Sequence, residues 1–157
     1  MDLHSDGNHL AAGCKGFDNT GCEVKLIDLR NISQFVGEYK GHSHDVTGVK
    51  FSTSQHGESE QDLLISSSKD GSVYVRDNKR SNKQEDCVLA SHLTGKNLTS
   101  LDVFPINSSE NKHTFAVGAT DGSLQLMSYS SKHANEIKVD FATAEYFDAS
   151  GVGSTAE

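Results

Sequence analysis

Tryptophan is missing from this sequence altogether, proline occurs once, and long apolar runs do not occur. The longest aliphatic stretches, such as Leu63–Ile65, fall far short of the ~20 apolar residues that span a bilayer. Hydrophobic residues make up 34% of the 157, thin for a self-sufficient core. Short apolar runs nevertheless recur between turn signals, which separates the chain from disordered sequences. Basic residues are scarce too: 14 Lys and Arg stand against 22 Asp and Glu, a net charge of −8. That balance argues against a phosphate-driven contact with nucleic acid and against anionic membrane surfaces. A protein surface of basic or mixed character is the easier partner. The three cysteines, Cys14, Cys22 and Cys87, are an odd number with no Cys-x-x-Cys pair, so reduced thiols in an intracellular protein, cytoplasmic or nuclear, are expected. Met1-Asp2-Leu3-His4-Ser5 shows neither the basic nor the apolar part of a secretory leader. The Asn-x-Ser/Thr sequons at Asn31, Asn97 and Asn107 then read as chance matches in an Asn- and Ser-rich chain.

Reactive motifs are missing as well. There is no Gly-rich phosphate loop, no G-x-S-x-G and no HExxH. Eight histidines invite a metal, but His42 and His44 stand two apart and Cys14 and Cys22 flank a Gly-rich turn. Neither pair has zinc-site spacing. No catalytic residue, cofactor or metal site is therefore expected, and no enzymatic activity.

What is present is repetition. Leu10-Ala-Ala-Gly-Cys14 leads to Val24-Lys-Leu-Ile-Asp28, Leu64-Ile-Ser-Ser-Ser68 to Val73-Tyr-Val-Arg-Asp77, and Phe115-Ala-Val-Gly-Ala119 to Leu124-Gln-Leu-Met-Ser128. The equivalent ends fall 49 and 51 residues apart. In the second and third copies the halves are joined by Asp70-Gly71 and Asp121-Gly122, which predict type I′ hairpin turns with φ > 0 at both positions. An earlier strand precedes each of these pairs, at Val46–Phe51 and Leu98–Val103. A later run follows each copy, at Ser33–Glu38, Cys87–Ser91 and Ile137–Phe141. The unit is four short antiparallel strands, none of which buries its faces alone.

Gly41-His42, then Asp45-Val-Thr, then Ser66-Ser-Ser-Lys-Asp70-Gly71-Ser-Val-Tyr-Val-Arg-Asp77 resembles a WD40 repeat from its Gly-His to its Trp-Asp. The resemblance covers roughly residues 3–140 and is most specific over 41–77. It implies an all-β fold, a partial β-propeller of about three four-stranded antiparallel blades, at 1–38, 39–91 and 92–142, with a flexible tail at 143–157. It also implies a scaffold that binds other proteins or peptides without a reaction of its own. In the family a Trp, a strand Ser or Thr, the Gly-His histidine and the Asp of the Asp-Gly turn form a buried polar tetrad. The second copy keeps His42, Ser66 and Asp70 but has Arg76 at the Trp position. The other copies read Ile27-Asp28 and Met127-Ser128 there.

Up-and-down strand order brings the loop holding His42 and the turn holding Asp70 to one end of a sheet. His42, Ser66 and Asp70 are thus expected as a structural polar clasp, with His42 bonded to Asp70. A catalytic His–Asp pair is the rival reading, and the Gly-His and Asp-Gly context favours architecture. Alternation places Arg76 with Tyr74, opposite Val73 and Val75, as a solvated or partly stacked side chain; the rival is that its planar fork reaches Asp70 or Asp77 and supplies donors in place of the Trp. At the same end, Lys15–Glu23 replaces a tight turn and offers Phe17, Asp18 and Asn19 as a partner contact, unless Phe17 folds back on its own hairpin. The acidic segment Ser52–Asp62 is expected as a solvated loop at the opposite end. Three blades leave bare apolar faces, expected at Leu10, Val24 and Leu26 and at Leu124 and Leu126, so self-association or completion by another chain is anticipated. The alternative to a working scaffold is a truncated or split piece of a larger propeller, with no activity of its own.

Overall fold

The computed structural model describes residues 1–54, 61–78, 87–104, 112–130 and 136–143. Its strands are β1 (Asp2–Leu3), β2 (His9–Gly13), β3 (Val24–Asp28), β4 (Phe35–Tyr39), β5 (Val46–Ser54), β6 (Gln61–Ser68), β7 (Ser72–Asp77), β8 (Val88–Leu93), β9 (Leu98–Val103), β10 (Lys112–Ala119), β11 (Leu124–Ser130) and β12 (Ile137–Ala142). They form three four-stranded antiparallel sheets, each made of four consecutive strands. The fold is all-β, and no helix among the described residues is long and apolar enough to cross a membrane. The expected tail lies, beyond Thr143, outside the described residues.

Alternation along each strand decides which side chains meet. Ala11, Val24, Leu26 and Tyr39 of the first sheet pack on Val49, Leu64 and Cys87 of the second. From the other face of the second sheet, Ile65, Val73 and Val75 pack on Leu98, Phe115, Val117 and Met127 of the third. Each fully buried aliphatic contributes roughly 1.5–3 kcal/mol. The second sheet is covered on both sides, which is why β6 is buried without interruption from Asp62 to Ser68. Two glycines permit the close seams. A Cβ on Gly48 would lie 2.4 Å from the Leu101 Cβ, and one on Gly13 would lie 2.6 Å from the Val46 Cγ1.

Three expectations need correction. Val24 and Leu26 are not on a bare face: they are 0% and 3% exposed, against the second sheet. The uncovered row of the first sheet is instead Leu3–Leu10–Ile27–Phe35, aligned across all four strands, with Leu3 and Phe35 more than half exposed. The segment from Ser52 to Asp62 is not wholly a solvated loop, because β5 and β6 extend into it and bury Ser52 and Asp62; residues 55–60, with Glu58 and Glu60, lie outside the described residues.

The third correction concerns turn type. Only Gly71 (φ 84°) and Gly122 (φ 81°) are left-handed in the Asp-Gly turns. Gly71 N–H donates to the Ser68 carbonyl and Gly122 N–H to that of Ala119, which makes each a type I turn closed by a left-handed glycine. With ordinary φ, the aspartate carboxylate reaches forward to the amide two residues on, of Ser72 or Ser123. The turn with two positive φ values is elsewhere, at Asp18 (50°) and Asn19 (61°).

Candidate protein-binding site

The end of the second sheet where β6 turns into β7 holds a chain of polar side chains. Arg76 on β7 donates from Nη1 to Ser66 Oγ (2.6 Å). Ser66 on β6 lies 2.8 Å from His42 Nε2, and His42 Nδ1 lies 2.7 Å from Ser72 Oγ. The Ser72 hydroxyl donates to Asp70 Oδ1 at 2.5 Å, and the Ser72 amide to the same oxygen at 2.7 Å. Oδ2 accepts the Ser43 amide at 2.6 Å. Ser72 gives its proton to Asp70 and so accepts from Nδ1–H. Burial and the charge of Arg76 keep His42 neutral, which leaves Nε2 as the acceptor of the Ser66 hydroxyl.

His42 and Asp70 do not bond directly, contrary to expectation: Nδ1 and Oδ2 are 3.7 Å apart, because Ser72 stands between them. Arg76 is not solvated. It is 0% exposed, lies over the Tyr74 ring at 4.5 Å and donates to the Lys40 carbonyl at 3.0 Å. The stacking on Tyr74 follows from their shared face, and the first sheet, through Tyr39 (6.0 Å to the ring), covers that face. No carboxylate pairs with Arg76 among the described residues, and its Nε has no partner there.

Burial lowers the guanidinium to about 10. Burial, followed by the charge of Arg76, lowers His42 to about 4 despite Asp70. For Asp70 burial alone would raise the carboxyl, but bonds from the Ser72 hydroxyl and the Ser43 and Ser72 amides hold it at about 2. The order Ser66–His42–Asp70 has the look of a nucleophile, base and acid. Ser66 is 0% exposed, however, so a substrate has no route to it, and its oxygen is already bonded by Arg76. The arrangement is a clasp between the loop entering β5 and the β6–β7 turn.

The β2–β3 loop rises beside it. Phe17 and Thr20 exchange backbone bonds across the Asp18–Asn19 turn (3.0 Å each), and the Asn19 amide donates to the Ser43 carbonyl at 3.2 Å. The Gly16 amide donates to Asp45 Oδ1 at 3.0 Å, while Lys69 Nζ holds Asp45 Oδ2 at 2.7 Å. Phe17 is 71% exposed. Its ring meets that of His44 edge-on at 5.0 Å, across the seam between sheets, and does not fold into its own hairpin. Lys15, Gly16, Phe17, His44, Asp45 and Lys69 line a shallow recess of about 560 Å³. Ser43, His44, Asp45, Lys69 and Ser72 were not singled out from sequence for this end. Ser72 had a signal, the Asp-Gly-Ser shared by residues 70–72 and 121–123.

Residues 33–77 match the WD40 family, described as WD domain, G-beta repeat. Among solved structures 63 chains match. One, from a crystal structure of a mitotic checkpoint complex, gives a TM-score of 0.63 at 22% identity and covers 89% of this chain and 37% of that one. Another, Sqt1 from Chaetomium thermophilum, gives 0.63 at 20% identity and covers 90% and 34%. The chain spans about a third of the length of these solved chains. No curated protein matches it.

Proposed function

We propose that this chain, with a WD40 match over residues 33–77 and a β-propeller fold, is a non-catalytic scaffold binding other proteins or peptides at the Phe17–His44 end. The observation that carries this is an exposed aromatic held in place. Phe17 keeps 71% exposure on a loop pinned to Ser43 and Asp45. An apolar ring held rigidly in water costs stability and lowers the entropic cost of docking, which is the economy of an interface anchor. Asp18 and Asn19 shape the turn that presents it, and Lys15 and Lys69 border the recess. The acidic chain as a whole suits a partner of basic or mixed charge. Three free cysteines fit a reducing, intracellular setting.

A photo-crosslinking residue at Phe17, compared with one at Ile32 (75% exposed), tests this in cells. The expected result is a discrete protein adduct from position 17 that is lost from position 32 and competed away by unlabelled chain. Equal, diffuse adducts at both positions would remove Phe17 from the interface.

A second reading concerns the outer faces. The Leu3–Leu10–Ile27–Phe35 row and, on the third sheet, Leu124 and Phe141 (45% and 55% exposed) suit further blades, from another copy or another chain. Light scattering on purified protein is expected to give a mass above the 16.9 kDa of one chain; a monodisperse monomer would sink self-association.

A further inference from the structure

At the opposite end of the first sheet, the β1–β2 turn gathers two imidazoles and a carboxylate. We propose that His4, Asp6 and His9 bind a divalent transition-metal ion of the zinc class, with Asp62 of the second sheet orienting His4. One ligand atom from each residue lies within 4.8 Å of the others. His4 Nδ1 is 3.2 Å from Asp6 Oδ1, and His9 Nδ1 is 2.5 Å from Asp6 Oδ2. In a tetrahedral site with bonds of about 2.0–2.1 Å, ligand atoms stand roughly 3.3 Å apart. The His4–Asp6 pair already stands at that spacing, and the Asp6–His9 pair would open by less than the length of one bond.

Asp6 and His4 are each held by something other than the ion. The Asp6 carboxylate is aimed by its own turn, where Oδ1 accepts the amides of Asn8 (2.7 Å) and His9 (3.1 Å) and Gly7 takes a φ of 71°. His4 is fixed from the second sheet. Its Nε2 lies 3.1 Å from Asp62 Oδ1, and its ring meets Phe51 edge-on at 4.9 Å. Asp62 is 6% exposed and is anchored in turn by Asn78 Nδ2 at 2.8 Å and the Thr53 hydroxyl at 3.4 Å. A carboxylate behind the far nitrogen of a ligating histidine sets its tautomer and its aim. With Nε2–H given to Asp62, the single Nδ1 lone pair faces the Asp6 amide at 3.3 Å and the Asp6 carboxylate at 3.2 Å. A metal ion drawn to the carboxylate would take that lone pair in place of the long amide bond and displace the proton that His9 Nδ1 shares with Asp6 Oδ2.

Two imidazole nitrogens and one carboxylate oxygen suit zinc, nickel or copper over calcium or magnesium, which prefer oxygen throughout. The Asp6 and His9 side chains are 35% and 26% exposed, so an ion can enter and keep water in its remaining position. The site would tie the two-residue strand β1 to the second sheet through Asp62, a structural role separate from the Phe17 end.

Zinc titration of the chelator-stripped full chain by calorimetry, with histidine ring ¹⁵N spectra recorded in parallel, tests this. One equivalent is expected to bind, shifting the ring signals of His4 and His9 together. His9→Ala is expected to weaken binding at least tenfold. Asp62→Asn, which never touches the ion, is expected to weaken it about 10–100-fold, and His92→Ala to leave it unchanged. The absence of saturable binding, ring shifts confined to other histidines, or wild-type affinity in His9→Ala would each overturn the proposal. Should His9→Ala fail to fold by circular dichroism, the wild-type ring shifts decide alone.

Discussion

The same Asp-Gly-Ser turn closes the second and third sheets, yet different things stand behind it. In both, the aspartate Oδ1 accepts the amide and hydroxyl of the serine two residues on, at 2.7 and 2.5 Å for Asp70–Ser72 and 2.9 and 2.6 Å for Asp121–Ser123. The other oxygen of Asp70 takes the Ser43 amide, whereas that of Asp121 takes Lys96 Nζ at 2.7 Å. Behind Asp70 run His42, Ser66 and Arg76. At the positions equivalent to Ser66 and Arg76 the third sheet has Val117 and Met127, both 0% exposed in the apolar core. The turn is therefore a local device that works with either backing. The buried relay is an addition whose members depend on one another, since each satisfies a neighbour that would otherwise be buried unpaired.

Acid is expected to break the relay most strongly. An unfolded histidine takes up a proton near 6.5, and folded His42 refuses it until about 4. Between those values the unfolded chain holds the extra proton, so stability is full above pH 6.5 and falls as pH drops toward 4, by roughly 3 kcal/mol for one such group. His113, which burial also lowers to about 4, bonds Ser52 across the seam to the third sheet at 2.7 Å and adds to the same slope. Denaturant midpoints across pH 4–7 check this, with His42→Gln expected to flatten the slope and not to abolish it.

Ser66→Val, which gives the second sheet the third sheet's residue, is next. It leaves an Arg76 N–H and His42 Nε2 without partners, at a cost of about 2–3 kcal/mol. Adding Arg76→Met completes the apolar pattern. The pair is expected to cost less than the sum of its parts by at least ~1 kcal/mol, read from a double-mutant cycle in urea. Strict additivity would mean that Arg76 and Ser66 are not one unit.

The smallest contrast lies in the turns themselves. Asp70→Ala is expected to cost about 1–2 kcal/mol through the part-buried bonds of Ser43 and Ser72. Asp121→Ala, with an exposed carboxylate, should cost visibly less in the same assay. Its bond to Lys96 should fade as salt is raised.

These particulars also mark what a linear reading can reach. The four-strand repeat and the all-β propeller fold were legible because alternation and Asp-Gly turns are local patterns. His42, Ser66 and Asp70 were legible as neighbours because strand order alone sends them to one end. Arg76 lies on the face that alternation assigns, stacked on Tyr74, but its burial was not legible, since alternation does not say whether another sheet covers that face; the second sheet is covered on both sides. Val24 and Leu26 were misplaced for the mirror-image reason, the covered and bare faces of the first sheet being equally apolar. The part of Ser72 was hidden by the turn type, because only an aspartate with ordinary φ sets its carboxylate between the serine and the histidine loop.

The relay's direction is the central claim, and the ring nitrogens of His42 report it directly. Heteronuclear NMR of the ¹⁵N-labelled chain is expected to show His42 as the neutral Nδ1–H tautomer, with shifts constant from neutral pH down to near 4. A titration centred at the ordinary 6.5, or a proton residing on Nε2, would contradict the chain of donors from Arg76 to Asp70.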